Sequence, residues 1–236
     1  VTYSPNSVLH GRDSIEIRAM TAKEEDILTS RALIKKGTVI SRLLSNCIVT
    51  NGVNPDMLLS GDRNAVMVSL RITGYGAGYN VEVPCPSCNE KSKHEFDLSS
   101  LEVKRLNIAP VEAGYNEFEF ELPVTKKVVR FRFMTGRDEQ EILKLQERLK
   151  KTGAAGNKLV TQRLQHAVIS IAGITDKTKL QMFIQNMPAR DSLALRRFID
   201  DHEPGVDMSA WMECPHCFEH SQVRLPLGPS FFWPDS

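Results

Sequence analysis

The chain is expected to be an α+β protein: two helical lobes joined by a β-hairpin region, with a split four-cysteine motif tying the middle of the chain to its end. Three observations predict this. Apolar residues recur at helical spacing in two separate regions, strand-like alternation lies between them, and Cys-x-x-Cys occurs twice, at Cys85–Cys88 and at Cys214–Cys217. The expected division is 1–78 as an amino-terminal arm and helical lobe and 79–134 as the first half of the cysteine motif plus a β-hairpin. Residues 135–205 then form a second helical lobe, and 206–236 the second half of the motif plus an aromatic tail.

Residues 1–13 hold Pro5, Asn6 and Gly11 with few apolar groups and read as an extended arm, and Ser14–Arg18 alternates like a strand. Thr21 followed by Glu24 is a capping-box pair that opens a helix running to about Lys36, burying Ile27, Leu28, Ala32 and Leu33. Gly37 ends it, and Thr38 caps a second helix with an apolar stripe of Val39, Ile40, Leu43, Leu44, Cys47 and Ile48. Asn54-Pro55-Asp56 starts a short helical turn. Ser60 or Asp62 caps a longer helix that stops in Gly74-Tyr75-Gly76-Ala77-Gly78. That glycine run follows a helix, whereas a phosphate loop follows a strand and opens a helix, so it reads as a helix end.

Leu101–Leu106 is a candidate strand. Glu117–Leu122 and Val128–Phe133 form the clearest hairpin, turning at Pro123–Lys126. Phe118, Phe120 and Leu122 share one face, as do Val129, Phe131 and Phe133, while Arg130 and Arg132 stand opposite acids, so cross-strand pairing accounts for the basic strand. A charged helix over roughly 136–151 carries Ile142, Leu143, Leu145 and Leu149 on its other side. Gly153–Lys158 reads as a linker, followed by helices near 157–172, 177–187 and 189–202.

The cysteines carry the chemistry. A Cys-x-x-Cys turn points two sulfurs to one side and supplies half of a tetrahedral site; two such turns complete the four-ligand shell of a structural zinc ion. Each turn has Pro after its first Cys, at Pro86 and Pro215, and each is flanked by strand-like residues. The layout is that of a zinc ribbon, drawn out over a far longer separation than compact ribbons use. One zinc ion held by Cys85, Cys88, Cys214 and Cys217 is therefore expected. Four thiolates leave no position for water, so the metal is a structural staple and not a reaction centre. The competing readings are weaker. Disulfides require an oxidising compartment and the chain shows no secretory signal segment. A redox Cys-x-x-Cys sits where a strand meets a helix, and neither copy does. Cys47 reads as a buried small side chain. His94, His216 and His220 lie near the turns in sequence but are read as surface or outlying groups.

Composition narrows the function. The chain has 236 residues, 41% hydrophobic and 25% charged, with net charge +1, which gives no footprint for nucleic acid. No apolar run approaches a membrane span, and no membrane partner is expected. There is no local signature of a Ser–His–Asp or Cys–His nucleophile, no His-Glu-x-x-His and no complete nucleotide loop, so no enzymatic activity is expected. In the tail, Phe231, Phe232 and Trp233 stand together between prolines. They either fold back as core or form an apolar anchor for another subunit, and are carried forward as interface candidates.

The segment Ile17–Asp26, the stretch Gly61-Asp62-Arg63-Asn64 leading to Arg71–Gly76, the Val83–Cys88 turn, the returning Cys-x-x-Cys and the Phe231-Phe232-Trp233 terminus together resemble a family found in contractile-tailed phages, the T-even-type baseplate hub proteins. The resemblance implies a structural and assembly component of the baseplate, in the hub or the hub–wedge region. Such a part sits in the virion tail, and in the host cytoplasm during assembly. It implies docking to other baseplate proteins, among them hub and tube-initiator subunits, in several symmetry-related copies. Two other functions are compatible with the residues. One is a zinc-ribbon nucleic-acid-binding module, against which Glu90, Glu95, Glu213 and Glu219 offset Lys91, Lys93 and His94. The other is a tail-assembly chaperone absent from the mature particle.

Overall fold

The computed structural model describes residues 3–151 and 159–233. Along the chain run α1 (Ala22–Thr29), α2 (Arg31–Lys35), α3 (Val39–Cys47), α4 (Ser60–Tyr75), β1 (Gly78–Pro84), β2 (Lys91–Asp97), β3 (Val103–Lys104), β4 (Phe118–Glu121) and β5 (Val128–Phe131). Then follow α5 (Gly136–Lys151), α6 (Leu159–Ala167), β6 (Val168–Ile171), α7 (Lys177–Gln185), α8 (Ala189–His202), β7 (Gly205–Val206), β8 (Ser209–Glu213) and β9 (His220–Arg224). The chain is thus of mixed α+β type with small antiparallel sheets: β1–β2, β3–β7, β4–β5–β6 and β8–β9. It forms two compact units, each assembled from separated segments. One contains 1–14, 52–60 and 105–204; the other contains 15–51, 61–104 and 205–236.

The first unit is built on the β4–β5 hairpin. Its register pairs Phe118 with Phe131, Glu119 with Arg130 and Phe120 with Val129, which puts alternate phenylalanines on the inner face. Phe118, Phe131 and Phe133 are fully buried, with ring centroids 4.9–5.9 Å apart. Burying each such side chain contributes about 1.5–3 kcal/mol. The Glu119–Arg130 pair forms at 2.8 Å, but both side chains are nearly half exposed, so it adds less than about 1 kcal/mol. Arg132 turns away from the strand acids. It makes two hydrogen bonds to Asp138 at the start of α5, where the carboxylate also accepts from the Thr135 N–H and hydroxyl. Asp191, fully buried, accepts from the backbone N–H groups of Val124 and Thr125 and so holds the hairpin turn.

Several expectations for this unit need correction. The helix expected over 157–172 ends at Ala167, and Val168–Ile171 becomes the third strand, pairing with β5. Apolar spacing allowed either state. The Val-Ile-Ser-Ile sequence is rich in stiff β-branched side chains, and the open edge of β5 supplies hydrogen-bond partners that a helix end lacks. The arm over 1–13 is a series of turns where described, not extended. Leu9 is buried, Tyr3 packs on the phenylalanine core, and the Tyr3 hydroxyl accepts from the Leu59 N–H. On α5, Ile142 is buried as expected, but Leu143 and Leu145 are exposed. The linker reading of 153–158 falls within 152–158, outside the described residues.

In the second unit α1 begins with the expected capping box, and Glu24 is fully buried. Its carboxylate accepts from the Thr21 N–H and hydroxyl and from both terminal nitrogens of the Arg18 guanidinium. The Arg18 hydrogen bonds, with help from Thr21, pull Glu24 down to about 2 against the opposing effect of burial. The helix breaks at Ser30, whose ψ of 102° is extended, before α2 resumes. Only Leu28 of its four expected apolar residues is buried. On α3, Val39, Leu43, Leu44 and Cys47 are buried as the stripe predicts. Ser14–Arg18 does not form a strand. A single bridge pairs Ile17 with Ile48, because only the short Cys47–Thr50 segment lies alongside. Leu101–Leu106 likewise keeps only Val103–Lys104 as a strand, paired with Gly205–Val206. Gly205 has no alternative there: a Cβ would sit 2.6 Å from the Gly61 Cα.

Candidate metal centre

Two hairpins position the cysteines. In the first, β1 and β2 pair from Gly78↔Asp97 to Pro84↔Lys91; in the second, β8 and β9 pair from Ser209↔Arg224 to Glu213↔His220. Their tips are built alike. The Cys85 N–H donates to the Glu90 carbonyl and the Asn89 N–H to the Cys85 carbonyl. At the other tip the Cys214 N–H donates to the Glu219 carbonyl and the Phe218 N–H to the Cys214 carbonyl. Each turn closes with a residue at positive φ, Asn89 at 63° and Phe218 at 59°. Asn tolerates that conformation, whereas for Phe it is an outlier.

The two tips meet. Cys85 Sγ lies 3.7 Å from Cys217 Sγ, and Cys88 Sγ lies 3.6 Å from Cys214 Sγ. All four sulfurs fall within 4.8 Å of one another, and this is the one such cluster of His, Cys, Asp or Glu among the described residues. Residues 126 and 132 positions apart therefore share one point, as the paired motifs require. All five cysteines are free thiols. Cys85 and Cys214 are buried, Cys88 is half-buried and Cys217 is exposed, so the cluster opens to solvent on one side.

The electrostatics of the thiols are divided, with Cys85 favoured as thiolate and Cys88 and Cys217 disfavoured. The Cys88 backbone N–H, followed by that of Ser87, pulls the Cys85 thiol down to about 6. At Cys217 the Glu219 N–H also favours the thiolate. Desolvation and the neighbouring sulfurs outweigh it and push this thiol up to about 12. Without a cation, four sulfurs this close cannot all ionise; a divalent ion removes that obstacle by deprotonating its ligands. Cys47 lies apart, fully buried on α3, where burial raises its thiol to about 11. His94 instead bonds Ser92 Oγ through Nε2, and His220 faces Glu213 at 3.5 Å.

The tail takes the core alternative at Phe231 and Phe232. Both are fully buried, Phe231 stacks edge-on against Tyr79 at 5.0 Å, and Trp233 is half-buried. Arg71 holds this tail. It is buried on α4 and its guanidinium donates to the carbonyls of Phe231, Gly76 and Gly78. Sequence reasoning missed that role, since nothing in a helical Arg reveals that its partners are main-chain carbonyls from a distant terminus. It also passed over Trp211 and Phe218, which are 70% and 72% exposed on the β8–β9 hairpin. Alternation along β8 could have shown that Trp211 faces opposite to buried Met212.

No helix among the described residues is long and apolar enough to cross a membrane. Residues 2–116, just under half the chain, match the model of a family described as T4 bacteriophage base plate protein. No curated protein and no solved structure matches the chain. The matched stretch contains the first cysteine turn and ends well before the second.

Proposed function

From the match of residues 2–116 to the T4 bacteriophage base plate protein family, we propose that the chain is a structural part of a contractile-tail baseplate in the hub or hub–wedge region, acting by docking and stapled by one structural zinc ion. The family match is the observation that carries this reading. It supports a place in the virion tail among other baseplate proteins. The finer role is docking to hub and tube-initiator subunits in symmetry-related copies, following assembly in the host cytoplasm and involving no catalysis.

Zinc fits the cluster. Zn–S bonds of about 2.3 Å in a tetrahedron place sulfurs about 3.8 Å apart, close to the 3.6 and 3.7 Å found. Cys85, Cys88, Cys214 and Cys217 would fill the shell of a zinc-ribbon site, leaving the metal a cross-link with no open position for chemistry. Docking is supported by the exposed Trp211 and Phe218, since aromatic side chains dominate binding energy at interfaces. Around the turns, Lys91 pairs with Glu82 at 3.8 Å and further acids offset the remaining lysines, which favours protein over nucleic acid as the partner.

Mass spectrometry of purified tails together with metal analysis of the purified chain tests both parts. The chain should be present in finished tails and carry one zinc per molecule. Its absence from finished tails would replace this reading with that of an assembly chaperone, and salt-sensitive binding to nucleic acid would favour the ribbon-module alternative.

A further inference from the structure

Within the second unit a groove of about 530 Å³ runs between the two hairpins. Glu95, Phe96 and Asp97 of β2 line one side, and Ser209, Ala210 and Trp211 of β8 the other. Both strands are sheet edges: β2 pairs only with β1 and β8 only with β9 among the described residues. The direction in which their main chains point follows from the ladders. The bonds from Cys85 N–H to Glu90 and from Leu98 N–H to Ala77 bracket the first hairpin. Bonded and non-bonded pairs alternate between these two, so Glu95 and Asp97 belong to pairs whose N–H and C=O groups face away from β1. In the second hairpin the bonds from Cys214 N–H to Glu219 and from Leu225 N–H to Met208 likewise leave Ser209 and Trp211 facing away from β9. The Ser209 N–H is used by Asp207 Oδ1, and the Asp97 carbonyl accepts from Ser100 Oγ, so a docked segment pairs with the remaining outward groups. The groove is thus flanked by two strands whose outward main-chain groups belong to residues that line it.

The charge is one-sided. Glu95, Asp97, Glu102 and Asp207 line the groove and no Lys or Arg does. Edge strands commonly guard themselves against pairing with lysines. Here Lys91 and Lys93 stand toward the cysteine turn, and the groove end carries acids and an exposed Trp. The exposed side chains of Glu95, Asp97 and Trp211 alternate with the buried Phe96 and Met212.

We infer that this groove receives an extended segment of a partner protein that alternates basic with apolar residues, added as a strand along β2 and β8. The main chain of such a segment meets the outward N–H and C=O groups. Its Lys or Arg side chains meet Glu95, Asp97 and the Trp211 ring, and its apolar side chains turn toward Phe96. An acidic segment is repelled. The inference rests on the chain being a docking subunit, but its test is separate: a chain found in tails yet indifferent to the peptide loses this inference and keeps the proposed function.

The probe is a synthetic peptide of about six residues, the common length of a strand, alternating lysine with valine, beside a matched peptide alternating glutamate with valine. Each is titrated into the full, metal-loaded chain while tryptophan fluorescence and amide hydrogen exchange are followed. The basic peptide should bind, slow exchange at Glu95, Asp97 and Trp211, and bind about tenfold more weakly to the Glu95→Lys/Glu102→Lys variant at low salt. Both glutamates are exposed, so circular dichroism should show that variant folded. If it is not, Trp211→Ala serves the same comparison. Equal binding of the acidic peptide, binding without protection of those amides, or no binding to the folded protein would each overturn the inference.

Discussion

Stripping the metal, or replacing one of its cysteines, tests the central physical idea quantitatively. Through Cys88 and Cys214, and through Cys85 and Cys217, the ion would join residues 126 and 132 positions apart. Treated as a cross-link on the unfolded chain, closing a loop of that length is worth roughly 5 kcal/mol, well inside the roughly 10–16 kcal/mol available from structural zinc. For a chain of this size that corresponds to a fall in Tm of roughly 10–20 °C. The assay is thermal unfolding of the full chain, followed by circular dichroism before and after a zinc chelator, with metal content measured on the same samples. Cys88→Ser and Cys214→Ser should each reproduce most of the fall. Cys47→Ser should leave metal content unchanged, because that thiol lies apart from the cluster. Metal-bound and stripped forms that melt together, or protein isolated with no metal, would refute the reasoning.

Replacing Arg71 with Met removes donors from three carbonyls, including that of Phe231, and should cost about 3 kcal/mol in urea unfolding while exposing the tail to proteolysis. Phe231→Ala should cost about 3–5 kcal/mol by the same assay, as for other fully buried aromatics. Acid should destabilise both units. Glu24 sits at about 2, and Asp138, in spite of its burial, is held well below the usual carboxylate range by Arg132 and Thr135. Both pKa values are depressed, so the stabilisation is fully present above about pH 4.5. It declines as pH falls, Glu24's being lost through about pH 2, and Glu24→Gln should flatten that part of the stability–pH curve. Phe218→Asn relieves a left-handed backbone at an exposed side chain and should raise stability by about 1 kcal/mol without altering metal content.

Local signals proved legible where one element's pattern decided the outcome. The Phe118–Phe133 alternation specifies both the hairpin and its inner face, because a strand's side chains alternate whatever it packs against. Thr21 and Glu24 set the start of α1, since a capping pair acts within four residues. The cysteine spacing indicated the shared cluster without any knowledge of the fold between its halves, because each turn supplies half of a tetrahedral shell and the two halves complete each other.

Other features came from the tertiary structure alone. Val168–Ile171 became a strand because β5 offered a free edge, while its apolar spacing was equally helical. Ser14–Arg18 lost its strand for want of a partner of sufficient length. The composition of the tail did not reveal that Phe231 and Phe232 would be enclosed, because Arg71 and Tyr79, which receive the tail, lie about 160 and 150 residues earlier. The groove between β2 and β8 belongs to the same class: each strand is readable by itself, but two open edges facing one space arise only when the cysteine turns draw the hairpins together. By itself the sequence determined periodicity, caps and ligand spacing, which act over a few residues. The choice among partners for edges, termini and buried charges was made by tertiary contacts, because unpaired main-chain groups and apolar rings gain stability only from whatever the completed fold places beside them.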